Sequence, residues 1–173
     1  GGSVRDALLG RLGNDLDFTT PARPEVVKEI LDEWAETVWD TGIDFGTVSA
    51  AYKGQQIEIT TFRSDSYDGQ SRNPEVVYGD TLEGDLVRRD FKANAMAIEL
   101  LADASFKFHD PLHGLQDIAD RVLDTPDKPE ISFHDDPLRM LRAARFASQL
   151  EFRVADRVVE AMRDMAGEIQ RIT

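Results

Sequence analysis

The amino-acid sequence predicts an α+β fold in which strands cluster in the first half of the chain and helices flank and follow them. Three observations carry that prediction. Between Thr37 and Phe62, three short stretches rich in Thr, Val, Ile and Tyr have the make-up of strands. A segment opened by Pro24 and two segments near the C-terminal end repeat apolar residues at helical spacing. At 173 residues, 41% of them hydrophobic, the chain can bury a core for one domain, or for one domain plus part of another.

Taken in order, Ser3 is placed to cap a short helix running to Leu9, with Gly10 ending it. The preceding Gly1-Gly2 pair lets backbone N–H groups approach a phosphate closely at that helix start. Asp15 and Asp17 follow one residue apart. On an extended segment the period of two puts both carboxylates on one face, where hard oxygen ligands can share magnesium. Pro24 is expected as a first helical residue, with Val27, Ile30, Leu31 and Trp34 facing a core.

Thr37 to Thr41, Thr47 to Tyr52 and Gln56 to Phe62 are expected strands, the last two joined through Lys53-Gly54-Gln55. In the third, Gln56, Glu58 and Thr60 share one face while Ile57, Ile59 and Thr61 share the other. Glu58 is then either a solvent-facing strand residue or a third carboxylate beside Asp15 and Asp17. Residues 63–79 are expected to be a mobile loop beside that site.

Further along, Asp80 and Glu83 have the spacing of a capping box. Asn94 to Leu101 reads as a buried strand pairing with Phe106 to His109, and the Asp110 to Gly114 turn leads to a short helix over 115–121. Two prolines between Thr125 and Glu130 mark a domain boundary. Beyond it, Asp135 or Asp136 can cap a helix that holds Pro137 in its first turn and runs through Leu138, Leu141, Ala144 and Ala147. A last helix carries Val158, Val159, Met162, Met165, Ala166 and Ile169, its methionines serving as core filler. Arg139, Arg142 and Arg145 fan over roughly a third of their helix, an arrangement suited to phosphates or base edges. Pairing with the many surface acids is the alternative.

The composition sets limits. A net charge of −13 argues against gripping nucleic acid through the whole surface and is compatible with magnesium nucleotides. With no cysteine, disulfides, zinc thiolates and thiol nucleophiles are excluded. No run is apolar enough to span a bilayer and no leader precedes Gly1, so a cytoplasmic protein is expected. The glycine turn lacks a strand to feed it and the chain stops just after an amphipathic helix, which suggests a fragment. His109-Asp110 and His134-Asp135 raise a histidine-aspartate metal phosphohydrolase as a reading from another class. Both pairs are expected at turns near Pro111 and Pro137, however, and His113 is not spaced as a third ligand.

The motifs then fall in a familiar order: Gly1-Gly2-Ser3-Val4-Arg5-Asp6, Leu8-Leu9-Gly10, Asp15-Leu16-Asp17, Arg88-Arg89-Asp90-Phe91 with Asn94-Ala95-Met96-Ala97, Asp110-Pro111 with Gly114, and Asp135-Asp136-Pro137-Leu138-Arg139 with Arg142 and Arg145-Phe146. The chain resembles the bacterial tRNA nucleotidyltransferases and poly(A) polymerases, the second-class CCA-adding enzymes of the DNA polymerase beta-like nucleotidyltransferase superfamily. The resemblance implies a mixed-sheet catalytic head with flanking helices over residues 1–130, followed at 131–173 by the first helices of a truncated, all-α, nucleotide-selecting neck. It implies that Asp15 and Asp17 hold two magnesium ions, with Glu58 as a possible third carboxylate. Gly2 and Arg5 match positions that contact the triphosphate. Arg89, Asp90 and Asn94 match the motif around its ribose and phosphates, and Asp136, Arg139, Arg142 and Arg145 match the helix that selects the nucleotide. The implied reaction is transfer of CMP and AMP from CTP and ATP to an RNA 3′ end, of tRNA foremost, with the RNA gripped largely by later domains. Poly(A) addition is the alternative within the family. The sequence departs from the family pattern with Asp135 for glutamate, Lys92 for threonine and His113 for glycine.

Overall fold

The computed structural model describes residues 1–14, 16–63 and 77–172. These residues fall into two compact units, one built from 2–86 and the other from residue 1 with 87–172.

In the first unit, α1 (Gly2–Leu8) already begins at Gly2, so Ser3 lies inside its first turn instead of capping it. Gly10 closes the helix as expected, in the left-handed conformation at φ 69°, with its amide donating to the Ala7 carbonyl at 3.0 Å. The sheet comprises β1 (Leu16–Thr20), β2 (Thr37–Trp39), β3 (Thr47–Tyr52) and β4 (Gln55–Thr61) in the order β1-β4-β3-β2. β1 runs parallel to β4 and the other pairs are antiparallel, which makes the sheet mixed. The β3–β4 turn is two residues long, not three, because Lys53 and Gly54 both take positive φ, 50° and 75°, and Gln55 is already in the ladder.

Between β1 and β2, α2 (Pro24–Asp32) starts on Pro24 as its composition demands. Val27 and Leu31 are buried against Val48 and Ala50, with Val38, Ile43, Ile57 and Ile59 packed around them. Ile30 and Trp34 are exposed, contrary to the sequence expectation. Only the i, i+4 line of Val27 and Leu31 meets the sheet, and the helix ends before Trp34 is reached. Trp34 instead meets Tyr52 edge-on at 5.2 Å between ring centroids. At α3 (Leu82–Val87) the cap is Thr81, whose hydroxyl accepts the Gly84 amide at 3.2 Å. Asp80, expected there, pairs with Arg23 instead. Of the expected loop, residues 64–76 lie outside the described residues.

In the second unit, β5 (Ala97–Leu100) and β6 (Phe106–His109) pair as an antiparallel hairpin. Its apolar residues Ile98, Leu100, Phe106 and Phe108 are exposed, so β5 is not the buried strand expected. The buried apolar run is Ala93, Ala95 and Met96 just before it. Two carboxylate bonds start α4 (Gly114–Ala119): Asp110 accepts the amides of Gly114 at 2.6 Å and Leu115 at 3.0 Å. β7 (Val122–Leu123) and α5 (Pro129–Asp135) then lead to α6 (Leu138–Leu150). Asp135 closes α5, while Asp136 accepts the Leu138 amide at 3.0 Å, so Pro137 sits between the helices, just ahead of the first turn.

The buried face of α6 holds Met140, Ala143, Phe146 and Leu150, not the line through Leu141 and Ala144, which are both exposed. That face carries the bulkier apolar groups, and Phe146 meets buried Phe91 edge-on at 6.0 Å. β8 (Arg153–Val154) pairs in parallel with β7, an element too short to leave a period in the sequence. α7 (Asp156–Asp164) gives way to a 3-10 turn, Ala166–Arg171. Met162, Met165 and Ile169 pack around Phe133, Met140, Val158 and Ala161, as filler.

Gly114 is fixed by close approach: a Cβ there would lie 2.2 Å from the Lys92 carbonyl oxygen. Gly114→Ala is expected to destabilise the protein by about 2 kcal/mol or more, because backbone atoms on both sides must shift. Urea unfolding of the two proteins measures it.

Candidate functional site

The first group of candidate residues lies on the sheet. Leu16, Phe18, Ile57, Ile59, Val48 and Ala50 alternate onto the face that meets α2 or its flank, so the intervening residues take the opposite face. There Asp17 is the register partner of Glu58, which pairs with Ser49 on β3, which pairs with Trp39 on β2. Asp17 and Glu58 thus stand side by side on adjacent strands, both exposed. Beside them a cleft of roughly 350 Å³ is lined by Asn14, Leu16, Gly54, Gln55, Gln56 and Glu58. Asp15 lies outside the described residues.

Two neighbouring carboxylates are a donor set of hard oxygens, which fits a divalent ion such as magnesium. Among the described residues no three His, Asp or Glu side chains are grouped to hold a metal. The histidines sit apart: His109 pairs with Glu99 at 2.8 Å, His113 precedes α4 with φ 60°, and His134 lies inside α5, not at a turn.

On α1, Arg5 is buried and its guanidinium pairs with Asp6 at 2.8 Å. A Cβ on Gly2 would meet that guanidinium at an ordinary 3.5 Å, so the glycine leaves the space above Arg5 open.

The second group centres on Asp90, 8% exposed. Its Oδ1 accepts the Phe91 amide at 2.8 Å and the Asn94 side-chain amide at 2.9 Å. Its Oδ2 accepts Arg142 Nε at 2.8 Å, and Nη2 lies at 2.7 Å. Asp90, Asn94 and Arg142 are therefore brought together by direct bonds. The three arginines of α6 differ in surroundings. Arg139 is buried, donating to Ser132 Oγ and to the Arg88 carbonyl, both at 2.9 Å. Arg142 is held by Asp90 and stacks on Phe146 at 5.2 Å. Arg145 is exposed and covers the same ring at 4.8 Å. Half-buried Arg89 lies beside Gly1, with Nη1 3.7 Å from where a Cβ would stand.

Sequence reasoning passed over the support beneath this turn. Lys92 donates its backbone amide to the Asp124 carbonyl at 2.9 Å and its ammonium to Asp124 Oδ2 at 2.7 Å. Arg157, from the start of α7, donates to Asp124 Oδ1 at 2.7 Å and to the Thr125 carbonyl at 2.8 Å. Burial pushes the Asp124 carboxyl up, but the bonds from Arg157 and Lys92 outweigh it and hold it below the usual aspartate value. Nearby, Asp117 has a buried Oδ2 with no hydrogen-bond partner among the described residues. Burial raises its pKa to about 6, Lys92 opposing and Asp124, Asp120 and Asp110 adding to the rise. The irregular spacing of these residues left no signal beyond the unusual Lys92.

Comparison with known proteins finds one family model, described as the poly A polymerase head domain, matching residues 1–124. The CCA-adding enzyme of Lactobacillus helveticus is 41% identical over 174 residues, covering 100% of this chain and 42% of that protein. That of Listeria innocua is 42% identical, covering 98% of this chain and 42% of the relative. The chain thus spans about two fifths of the length of these curated relatives. Among solved structures, the Bacillus stearothermophilus CCA-adding enzyme in complex with CTP superposes with a TM-score of 0.87 at 37% identity, covering 100% of this chain and 40% of that one. A tRNA nucleotidyltransferase complexed with a primer tRNA and an incoming ATP analogue gives 0.79 at 32% identity, covering 97% and 46%.

For Asp117, a folded pKa near 6 against an ordinary 3.8 means that stability is full below pH 3.8 and is lost as pH rises towards 6 and levels off above it. Asp117→Asn removes that loss. Its unfolding free energy is expected to match the parent near pH 4 and exceed it by about 1 kcal/mol at pH 8, because solvent screens much of the shift at this part-exposed carboxyl, as denaturant titrations at the two pH values will measure.

Proposed function

The chain belongs to the poly A polymerase head domain family, and from that membership we propose that it is the catalytic part of an enzyme adding CMP and AMP from CTP and ATP to the 3′ end of tRNA. The reading keeps a catalytic head at 1–130 and the first helices of a nucleotide-selecting neck at 131–173, with a cytoplasmic setting. Relatives named as CCA-adding enzymes support it, as do solved relatives described with CTP and with a primer tRNA. The observation that carries it is the pairing of Asp17 with Glu58 on the sheet face opposite α2.

Asp17 and Glu58, with Asp15 next in the motif, would hold two magnesium ions, which when bound supply charge stabilisation at the α-phosphate and a lowered pKa for the attacking 3′-hydroxyl. The chain's own groups bind and orient. Gly2 leaves the backbone of α1 open to the triphosphate, and Arg5 and Arg89 provide planar, permanently charged donors for it. Asp90 fixes the side chain of Asn94, which would face the ribose. Asp136 offers acceptors and Arg139 donors, matching the amino group and ring nitrogen that cytosine and adenine both present. To read a base, Arg139 exchanges one of its two present bonds, to Ser132 or to Arg88. Arg142 holds its place through Asp90, and Arg145 remains for a phosphate. Positioning and charge stabilisation carry the rate.

Full-length protein given a tRNA that lacks its 3′ CCA is expected to stop after cytidine additions with CTP alone and to finish with one adenosine when ATP is added. Open-ended adenosine tailing would overturn this in favour of poly(A) synthesis. Asp17→Ala is expected to abolish magnesium-dependent incorporation with an unchanged circular dichroism spectrum. Arg139→Ala is expected to erode the preference for CTP and ATP over UTP and GTP, read as ratios of kcat/KM.

A further inference from the structure

The sheet face that presents the carboxylates also presents a tryptophan in line with them. Asp17, Glu58, Ser49 and Trp39 are successive register partners on β1, β4, β3 and β2, so they form one row across the sheet. At about 4.8 Å per strand, Trp39 stands about 10 Å from Glu58 and about 14 Å from Asp17. Its neighbour Val38 packs into the α2 core, which commits the Trp39 ring to the carboxylate side, where it is 41% exposed. Trp34 packs on Tyr52, but Trp39 has no aromatic partner among the described residues. Ser49, between it and Glu58, is small and polar and leaves the row open.

Charge decides what such a ring can receive. The chain carries −13 overall, and Asp40 and Asp44 follow Trp39 closely in sequence, so a phosphate is disfavoured at this edge. A nucleobase held by stacking needs no cation beside it, and aromatic platforms hold unpaired strands in this way. The row is about three or four nucleotides long at the roughly 3.4 Å rise of a stacked strand.

We propose that Trp39 stacks on an unpaired base of the RNA primer, upstream of the 3′-hydroxyl presented to Asp17 and Glu58. This rests on the function proposed above and adds a primer-positioning residue to it. In the full-length protein, Trp39→Ala raises KM for the RNA about 10-fold, within the range for loss of one base–aromatic stack. KM for CTP, kcat at saturating RNA and the thermal midpoint stay as in the parent, and Trp39→Phe recovers most of the RNA affinity. An unchanged RNA KM, or an equal rise in the KM for CTP, overturns the proposal. A second measurement separates it from the activity. The part of the full-length protein's tryptophan emission that Trp39→Phe removes is the Trp39 signal, and a short RNA hairpin with an unpaired 3′ end, added without nucleotide, quenches it. Absence of quenching overturns the stack even if the enzyme is active. A parent protein that extends no RNA defeats the function proposed above, while quenching still decides the fate of Trp39.

Discussion

A strand cannot bury one face without presenting the other, and this constraint governs the sheet unit. Once Val48, Ala50, Ile57 and Ile59 are committed to Val27 and Leu31 of α2, the residues between them have no choice of direction. Parallel pairing of β1 with β4 then sets Asp17 against Glu58, two carboxylates on adjacent strands. Repulsion between them is tolerable because both are exposed to water. Hydrophobic burial on one side of the sheet therefore places the charged chemistry on the other.

In the helical unit a single carboxylate organises the turn that carries Asn94. Asp90 is buried, yet every bond to it comes from a donor that matters elsewhere: a backbone amide, the Asn94 amide and the Arg142 guanidinium. A buried charge is tolerated only when paired and hydrogen-bonded, so these groups are bound to move together. Arg142 in turn stacks on Phe146, and Phe146 meets Phe91, the residue whose amide Asp90 accepts. The ring of contacts closes on itself, tying α6 to the 3-10 turn Lys92–Asn94 by charge and by aromatic packing at once.

How much of this the sequence disclosed varies with the range of the forces involved. The strands and α2 were legible because their periods are local, and the motif order pointed to the family, while the strand period alone left Glu58 open between a solvent-facing residue and a third carboxylate beside Asp15 and Asp17. The buried face of α6 was misread, since three lines of apolar residues run along that helix and only contact with Phe91 and Phe133 selects among them. Ile30 and Trp34 were misassigned for a related reason: helical spacing states which residues align, not where the helix stops. Hydrophobicity alone predicts a buried β5; its pairing with β6 forms as expected, but with the apolar residues exposed. Asp124, Arg157 and Asp117 left no trace, as their partners are distant in sequence and joined only by folding.

The clamp on Asp124 has a consequence for how the protein opens. Lys92 and Arg157 approach the same carboxylate from opposite sequence directions, one from the turn before Asn94 and the other from the first turn of α7. Neither segment can separate without leaving a part-buried anion short of a partner, which the low-dielectric surroundings penalise heavily. Fluctuations of the two are therefore coupled. Backbone amides around Lys92 and around Arg157 belong to one cooperative opening unit, exchanging with solvent on a common free-energy scale although they are far apart in sequence. The hairpin β5–β6, with its exposed apolar face and no such clamp among the contacts described, is free to open on its own.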